Sequence, residues 1–301
     1  MSIQGVIPPL VTPFDAEGEV DESALRSEVR FLLDAGVHGL SLGGSTGEGA
    51  LLLDDELVRG LEILSDEAAG RCPLVCGIIR NSTRDAVRAA TRAVAAGADA
   101  LMVTPTFYHG TDARGNYSFY QDLSGATDLP IIIYNVIAQN PITPEMMMDI
   151  SQIRNVMGIK QSVGGMHGFN AMMSTCGALT NVYGAQDDML VFDYLLKATG
   201  SISAILTVFP ELCVQQWDAV QAGRIDEALE IHSRLVPVWQ MVSCAGMAFP
   251  GRVKKLLELL GRTGGLPRKP VLEPEPDVTA QLRYALEQAN LLPEELPEVR
   301  V

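Results

Sequence analysis

The first lysine of this 301-residue chain is Lys160, which closes the apolar run Val156-Met157-Gly158-Ile159. Only Lys197, Lys254, Lys255 and Lys269 follow it, so arginine carries most of the positive charge. Apolar surroundings strip an ammonium of part of its hydration, and the neutral amine they favour attacks carbonyl carbon. The commoner fate of a lysine is an ion pair or a charged head that reaches solvent. No acidic residue neighbours Lys160 in sequence, and its place at the end of a strand-like run favours the nucleophile.

Two other groups complete a plausible chemistry. Tyr134 ends the run Pro130-Ile131-Ile132-Ile133, where a phenol relays protons during addition to a carbonyl and loss of water. The plainer reading is a buried tyrosine bonded to a backbone acceptor. Ser45 and Thr46 sit in Gly43-Gly44-Ser45-Thr46-Gly47-Glu48-Gly49, where N–H groups and hydroxyls converge on a carboxylate. Alone, that stretch is a tight turn that needs glycine. It matches neither G-x-G-x-x-G after a first strand nor G-x-x-x-x-G-K-[ST], which argues against nucleotide binding.

These residues need a scaffold, and the chain alternates between two periods. Strand-like runs fall at residues 5–12, 39–43, 74–79, 100–104, 130–136, 156–161, 181–184 and 200–207. Helical spacing occupies 22–35, 54–69, 82–96, 117–127, 144–153, 169–176, 187–197 and 211–222. Start signals support several helices, among them Asp21, Ser82 and Thr143-Pro144. Strict alternation predicts a parallel sheet, and eight units favour a closed (β/α)8 TIM barrel over an open doubly wound sheet. After residue 223 only helical patterns follow, at 225–245, 251–260 and 278–289. We therefore expect a catalytic barrel over 1–223 and a C-terminal helical appendage over 224–301.

In such a barrel the site lies at the C-terminal strand ends. The polar and aromatic residues expected there are Thr12, Ser45-Thr46, Thr104, Phe107-Tyr108, Tyr134-Asn135, Lys160, Gln186-Asp187 and Ser203 or Thr207. A net charge of -15 argues against nucleic acid or anionic membrane as a partner. The five cysteines read as reduced thiols, and the four scattered histidines give no metal-ligand spacing. Without a leader pattern or a membrane-length apolar run, the expected location is cytoplasmic.

Gly44-Ser45-Thr46-Gly47-Glu48, Tyr134-Asn135-Val136 and Gly158-Ile159-Lys160, in this order, resemble the dihydrodipicolinate synthase / N-acetylneuraminate lyase family. Pro9-Leu10-Val11-Thr12-Pro13-Phe14, Val103-Thr104-Pro105 and Gly200-Ser201-Ile202-Ser203 are similar to it too. The resemblance implies a Schiff base between Lys160 and a 2-oxo acid such as pyruvate, with neither metal nor organic cofactor. It assigns catalysis to Lys160, Tyr134, Thr46 and Tyr108, and substrate binding to Gly44, Ser45, Thr46, Gln139, Ile202 and Ser203. It further implies a homo-oligomer, a tetramer built as a dimer of dimers.

Two positions depart from the synthase pattern. Gln139 stands where an arginine would bind the second substrate's carboxylate, and Phe107 where a second tyrosine would complete the proton relay. Tyr108 takes that role only if its loop shifts by one residue. The expected activity is therefore aldol cleavage or condensation, or dehydration or deamination, of a 2-oxo-3-deoxy sugar acid or related hydroxy acid. The alternatives are an authentic 4-hydroxy-tetrahydrodipicolinate synthase of lysine biosynthesis and a barrel that binds a 2-oxo acid without turning it over.

Overall fold

The computed structural model describes residues 3–293. Eight strands form one parallel sheet in the order β1-β8-β7-β6-β5-β4-β3-β2. They are β1 (Gly5–Val6), β2 (Leu40–Leu42), β3 (Leu74–Ile78), β4 (Ala100–Val103), β5 (Ile131–Asn135), β6 (Val156–Gln161), β7 (Asn181–Gly184) and β8 (Gly200–Ser201). A single parallel bridge, Pro9 to Ser41, joins the two ends of this order and closes the barrel.

The outer layer comprises α1 (Glu22–Asp34), α2 (Asp54–Ala68), α3 (Thr83–Ala95), α4 (Ala113–Ala126), α5 (Pro144–Ile150), α6 (Gly165–Cys176), α7 (Leu190–Leu195), α8 (Ile205–Val208) and α9 (Pro210–Gln221). Local chemistry starts these helices: the side chains of Asp21, Ser82, Asp112 and Thr143 accept N–H bonds from the first turns of α1, α3, α4 and α5. Then come α10 (Ile225–Ser243), α11 (Phe249–Leu259) and α12 (Pro276–Gln288). Leu235, Val253 and Leu282 of these last helices share one buried cluster with Leu25, Val103 and Leu206 of the barrel.

Alternation along the strands sorts side chains between two cores. Leu101, Val103, Ile131, Ile133 and Ile159 face the helices. Val75, Ala100, Met102, Ile132, Tyr134, Tyr183 and Ile202 fill the barrel interior. A side chain two residues beyond Ile132 therefore points inward, near the strand's C-terminal end.

The first and last strands are shorter than expected. Residues 5–12 yield only Gly5–Val6, because Pro8 and Pro9 have no N–H for a ladder. Its partner β8 stops at Ser201, and the second half of the apolar run after it, expected as strand to residue 207, instead enters α8. Thr207 accordingly lies on a helix, where its hydroxyl donates to the Pro9 carbonyl at 2.8 Å. The expected helix over 187–197 starts only at Leu190, which frees Asp187 to turn elsewhere.

Candidate active site

Strand register brings the amine and the phenol together. Tyr134 on β5 lies opposite Lys160 on β6, and both side chains are buried. Lys160 Nζ sits 3.9 Å from the centroid of the Tyr134 ring, close enough for a cation–π contact. The Tyr134 hydroxyl donates to Ser45 Oγ at 3.0 Å. Amine, phenol and serine hydroxyl thus run from β6 across β5 to the turn after β2.

The backbone of that turn is set by close approach. Gly43 has φ +82°, and a Cβ on Gly49 would stand 1.7 Å from the Gly43 carbonyl oxygen. Thr12 Oγ1 donates to the Gly47 carbonyl at 2.8 Å. Among the described residues, the N–H groups of Ser45 and Thr46 donate to no protein acceptor, which leaves them for an anion. Glu48, with φ 55°, carries the turn back down and buries its carboxylate against Lys254 Nζ at 2.5 Å. Lys254 also donates to the Thr12 carbonyl at 2.7 Å, so a helix of the C-terminal appendage holds the turn from beneath.

Asp187, expected from sequence only at a strand end and without a role, is a functional candidate. Its Oδ1 accepts from Ser203 Oγ at 2.5 Å and from the Ile205 N–H at 2.7 Å. Burial pushes its carboxyl up to about 6, although the Ser203 bond, the Ile205 N–H and the charge of Lys160 all pull the other way. A carboxyl balanced between its two protonation states near a candidate nucleophile suits proton transfer. The only hint in sequence is its place after β7.

A cavity of about 450 Å³ opens beside Ser45. Phe107, Gln139 and Thr104 line it, together with Met247 and Val271 from the C-terminal segments. Thr104 Oγ1 is buried without a partner among the described residues. A depression between α4 and α5, lined by Tyr117, Met146 and Ile150, lies outside the barrel and holds none of these groups.

The remaining sequence candidates separate. Ser203 reaches the site through Asp187, while Gln139 is exposed at the cavity rim. Ile202 belongs to the barrel interior, and Gly44 approaches Met102 there. Thr46 is buried in the turn beside Ser45. Within one chain Tyr108 does not join Lys160, Tyr134 and Ser45. Its N–H is tied to Asn81 Oδ1 at 2.9 Å, and its ring, 79% exposed, meets His109 edge-on.

Comparison with known proteins places the chain in a family. The model of the dihydrodipicolinate synthetase family matches residues 2–289. A 4-hydroxy-tetrahydrodipicolinate synthase from Methanopyrus kandleri is 32% identical over 97% of this chain and 98% of its own length. One from Nitrobacter hamburgensis is 34% identical over 94% of this chain and 95% of its own. A prophage protein of the dihydrodipicolinic acid synthase family from E. coli K12, solved in complex with pyruvate, superposes with a TM-score of 0.90 at 26% identity. That match covers 97% of this chain and 100% of the prophage protein. With its (β/α)8 barrel and near-complete coverage, the chain belongs to the dihydrodipicolinate synthetase family, whose members are lyases of the class I aldolase type.

Proposed function

We propose that this chain is a Schiff-base lyase acting on pyruvate or a pyruvate-bearing 2-oxo acid, and that Lys160 is its nucleophile. The observation that carries the reading is the buried contact of Lys160 Nζ with Tyr134, whose phenol is in turn hydrogen-bonded to Ser45. The substrate carboxylate rests on the Ser45–Thr46 turn, with its ketone carbon within reach of Nζ. The amine adds to that carbon, Tyr134 passes a proton to the departing oxygen, and water leaves to give a protonated imine. The imine withdraws electrons from the adjacent carbon, so a bond there is made or broken through an enamine. Asp187, held by Ser203, accepts and returns a proton in the same scheme.

This scheme serves aldol cleavage or condensation, and also dehydration or deamination, of a 2-oxo-3-deoxy sugar acid or related hydroxy acid. The reaction named for the relatives, 4-hydroxy-tetrahydrodipicolinate synthesis, is less well supported. Gln139 presents no guanidinium at the cavity rim, and Phe107 presents no phenol. The intact trio of Lys160, Tyr134 and Ser45 favours an enzyme over a barrel that only binds. We place it in the cytoplasm as a homotetramer built from dimers; four of its five free cysteines are buried, and no helix among the described residues is long and apolar enough to cross a membrane. We take residues 1–223 as the catalytic barrel and 224–301 as an extension whose described part braces it; residues 1–2 and 294–301 of this division lie outside the described residues.

The test is borohydride trapping. Incubation with pyruvate and borohydride should add the mass of one reduced pyruvate to each chain, and Lys160→Ala should show no adduct. An adduct of equal yield in Lys160→Ala, or none in the native chain with pyruvate or longer 2-oxo acids, defeats the reading.

A further inference from the structure

We infer that the half of the substrate that does not become pyruvate is an uncharged, largely apolar aldehyde, held in the cavity between the strand ends and the C-terminal extension. The inference rests on the Schiff-base reading and names the partner that the imine chemistry would join to or release from pyruvate.

The cavity adjoins the proposed reaction centre through Ser45, which both lines it and accepts the Tyr134 phenol. Its walls are Ile79, Phe107, Val136, Ile137, Met247 and Val271. These come from the ends of β3, β4 and β5 on one side and the C-terminal segments on the other, so the apolar character is not one element's accident. Among the described residues lining it, Glu48 alone is ionisable. Its side chain is 1% exposed and is committed to Lys254 and to the Arg268 N–H, so no free charge faces the occupant.

Polar capacity is confined to Ser45, Gln139 at the rim and Thr104. The Thr104 hydroxyl, fully buried and without a partner among the described residues, suits a single oxygen such as that of an aldehyde. A polyhydroxylated chain would strand its hydroxyls against Ile79, Val136 and Val271, and buried unpaired polar groups are heavily penalised. A distal carboxylate would find no cation there and would approach Glu48 instead. The wall thus departs from the sugar-acid expectation drawn from sequence.

The chemistry balances without a further reagent. The enamine carbon of the Lys160–pyruvate adduct forms a bond to the aldehyde carbon. The carbonyl π pair moves onto oxygen, which takes a proton relayed by Tyr134. Water then adds to the imine carbon, the C–N bond breaks, and a 4-hydroxy-2-oxo acid leaves with the Lys160 amine restored. One pyruvate and one aldehyde give one product, and the reverse sequence cleaves it.

The experiment offers the full-length protein pyruvate with benzaldehyde, 3-methylbutanal, glyceraldehyde or succinic semialdehyde, and quantifies each 4-hydroxy-2-oxo acid by mass. Borohydride trapping with pyruvate alone runs in parallel. The expected result is a pyruvate adduct, with kcat/KM for the first two aldehydes at least about tenfold above that for the last two. Val271→Asp should raise KM for benzaldehyde about tenfold or more, while Val271→Leu should not. Should Val271→Asp fail to fold, the native panel decides. An adduct accompanied by preference for glyceraldehyde or succinic semialdehyde, or by no product from any aldehyde, overturns this inference and leaves the Schiff base standing. Absence of any adduct removes the parent reading and this one together.

Discussion

Glu48 and Lys254 form an ion pair of 2.5 Å with side chains 1% and 2% exposed, joining the glycine-rich turn of the barrel to α11 of the C-terminal extension. Lys254 spends its other hydrogen bonds on the carbonyls of Thr12 and Leu266, at 2.7 and 2.8 Å. Arg268 reinforces the same corner, with its N–H on Glu48 Oε1 and its guanidinium on Glu56. Replacing one member of a buried pair leaves the other charge without compensation, at a cost of about 3–5 kcal/mol. Lys254→Met should therefore lower the unfolding free energy by that order, measured in urea. Adding Glu48→Gln should recover part of the loss. A single mutant as stable as the native chain would show that the pair does not hold the turn.

Tyr134→Phe removes the hydroxyl that meets Ser45 and keeps the ring beneath Lys160. If the phenol relays protons, kcat should fall by about 10²–10⁴-fold. The melting temperature should change little, and slow trapping of pyruvate on Lys160 should persist. Steady-state kinetics beside a thermal melt separates this outcome from a packing defect, which would lower both.

Asp187 carries a carboxyl that burial raises to about 6, so its charge changes around that pH. It is ionised above that value and protonated below it. The plot of log kcat/KM against pH should accordingly show an acid limb bending near pH 6. In Asp187→Asn that bend should vanish and activity should fall by about 10²-fold. A bend that survives in the mutant belongs to another group.

Asp193 is wholly buried on α7, and neither carboxyl oxygen has a partner among the described residues. Burial, aided by the charge of Asp188, pushes it up to about 8 from 3.8. The folded chain then holds a proton that the unfolded chain releases, so the contribution of Asp193 to stability is greatest at low pH and declines as pH rises from about 4 to about 8. Asp193→Asn should remove this slope and raise stability at pH 8 by about 1–3 kcal/mol. Thermal melts at pH 5 and pH 8 give the comparison.

The residues that could do chemistry were largely legible because their types are rare in their settings. A lone lysine ending an apolar run, and a tyrosine at the matching place on the preceding run, remained neighbours once parallel register was imposed. Alternation of strand and helix gave the barrel for the same reason: buried parallel strands and amphipathic helices write different periods. What stayed hidden depends on contacts distant in sequence. The run after Ser201 reads as strand, but β1 stops after Val6 at two prolines and offers no further partner, so the run coils into α8. Asp187 gains its character from burial and from Ser203 and Ile205, none of which local pattern reveals. Glu48 looked like part of a loop motif, and nothing near it in sequence announces Lys254.

The barrel is laced shut by one bridge, Pro9 to Ser41, and the serine–threonine turn lies just beyond that lace. Lys254 is the knot, since it ties Thr12 on one side of the seam to Glu48 on the other. A ribosome delivers all eight strands, and every residue of the amine–phenol–hydroxyl trio, well before it delivers that lysine. During synthesis Lys160, Tyr134 and Ser45 therefore emerge before the residue that ties the serine–threonine turn down, and the contacts of Lys254 with Thr12 and Glu48 can form only once α11 has left the exit tunnel.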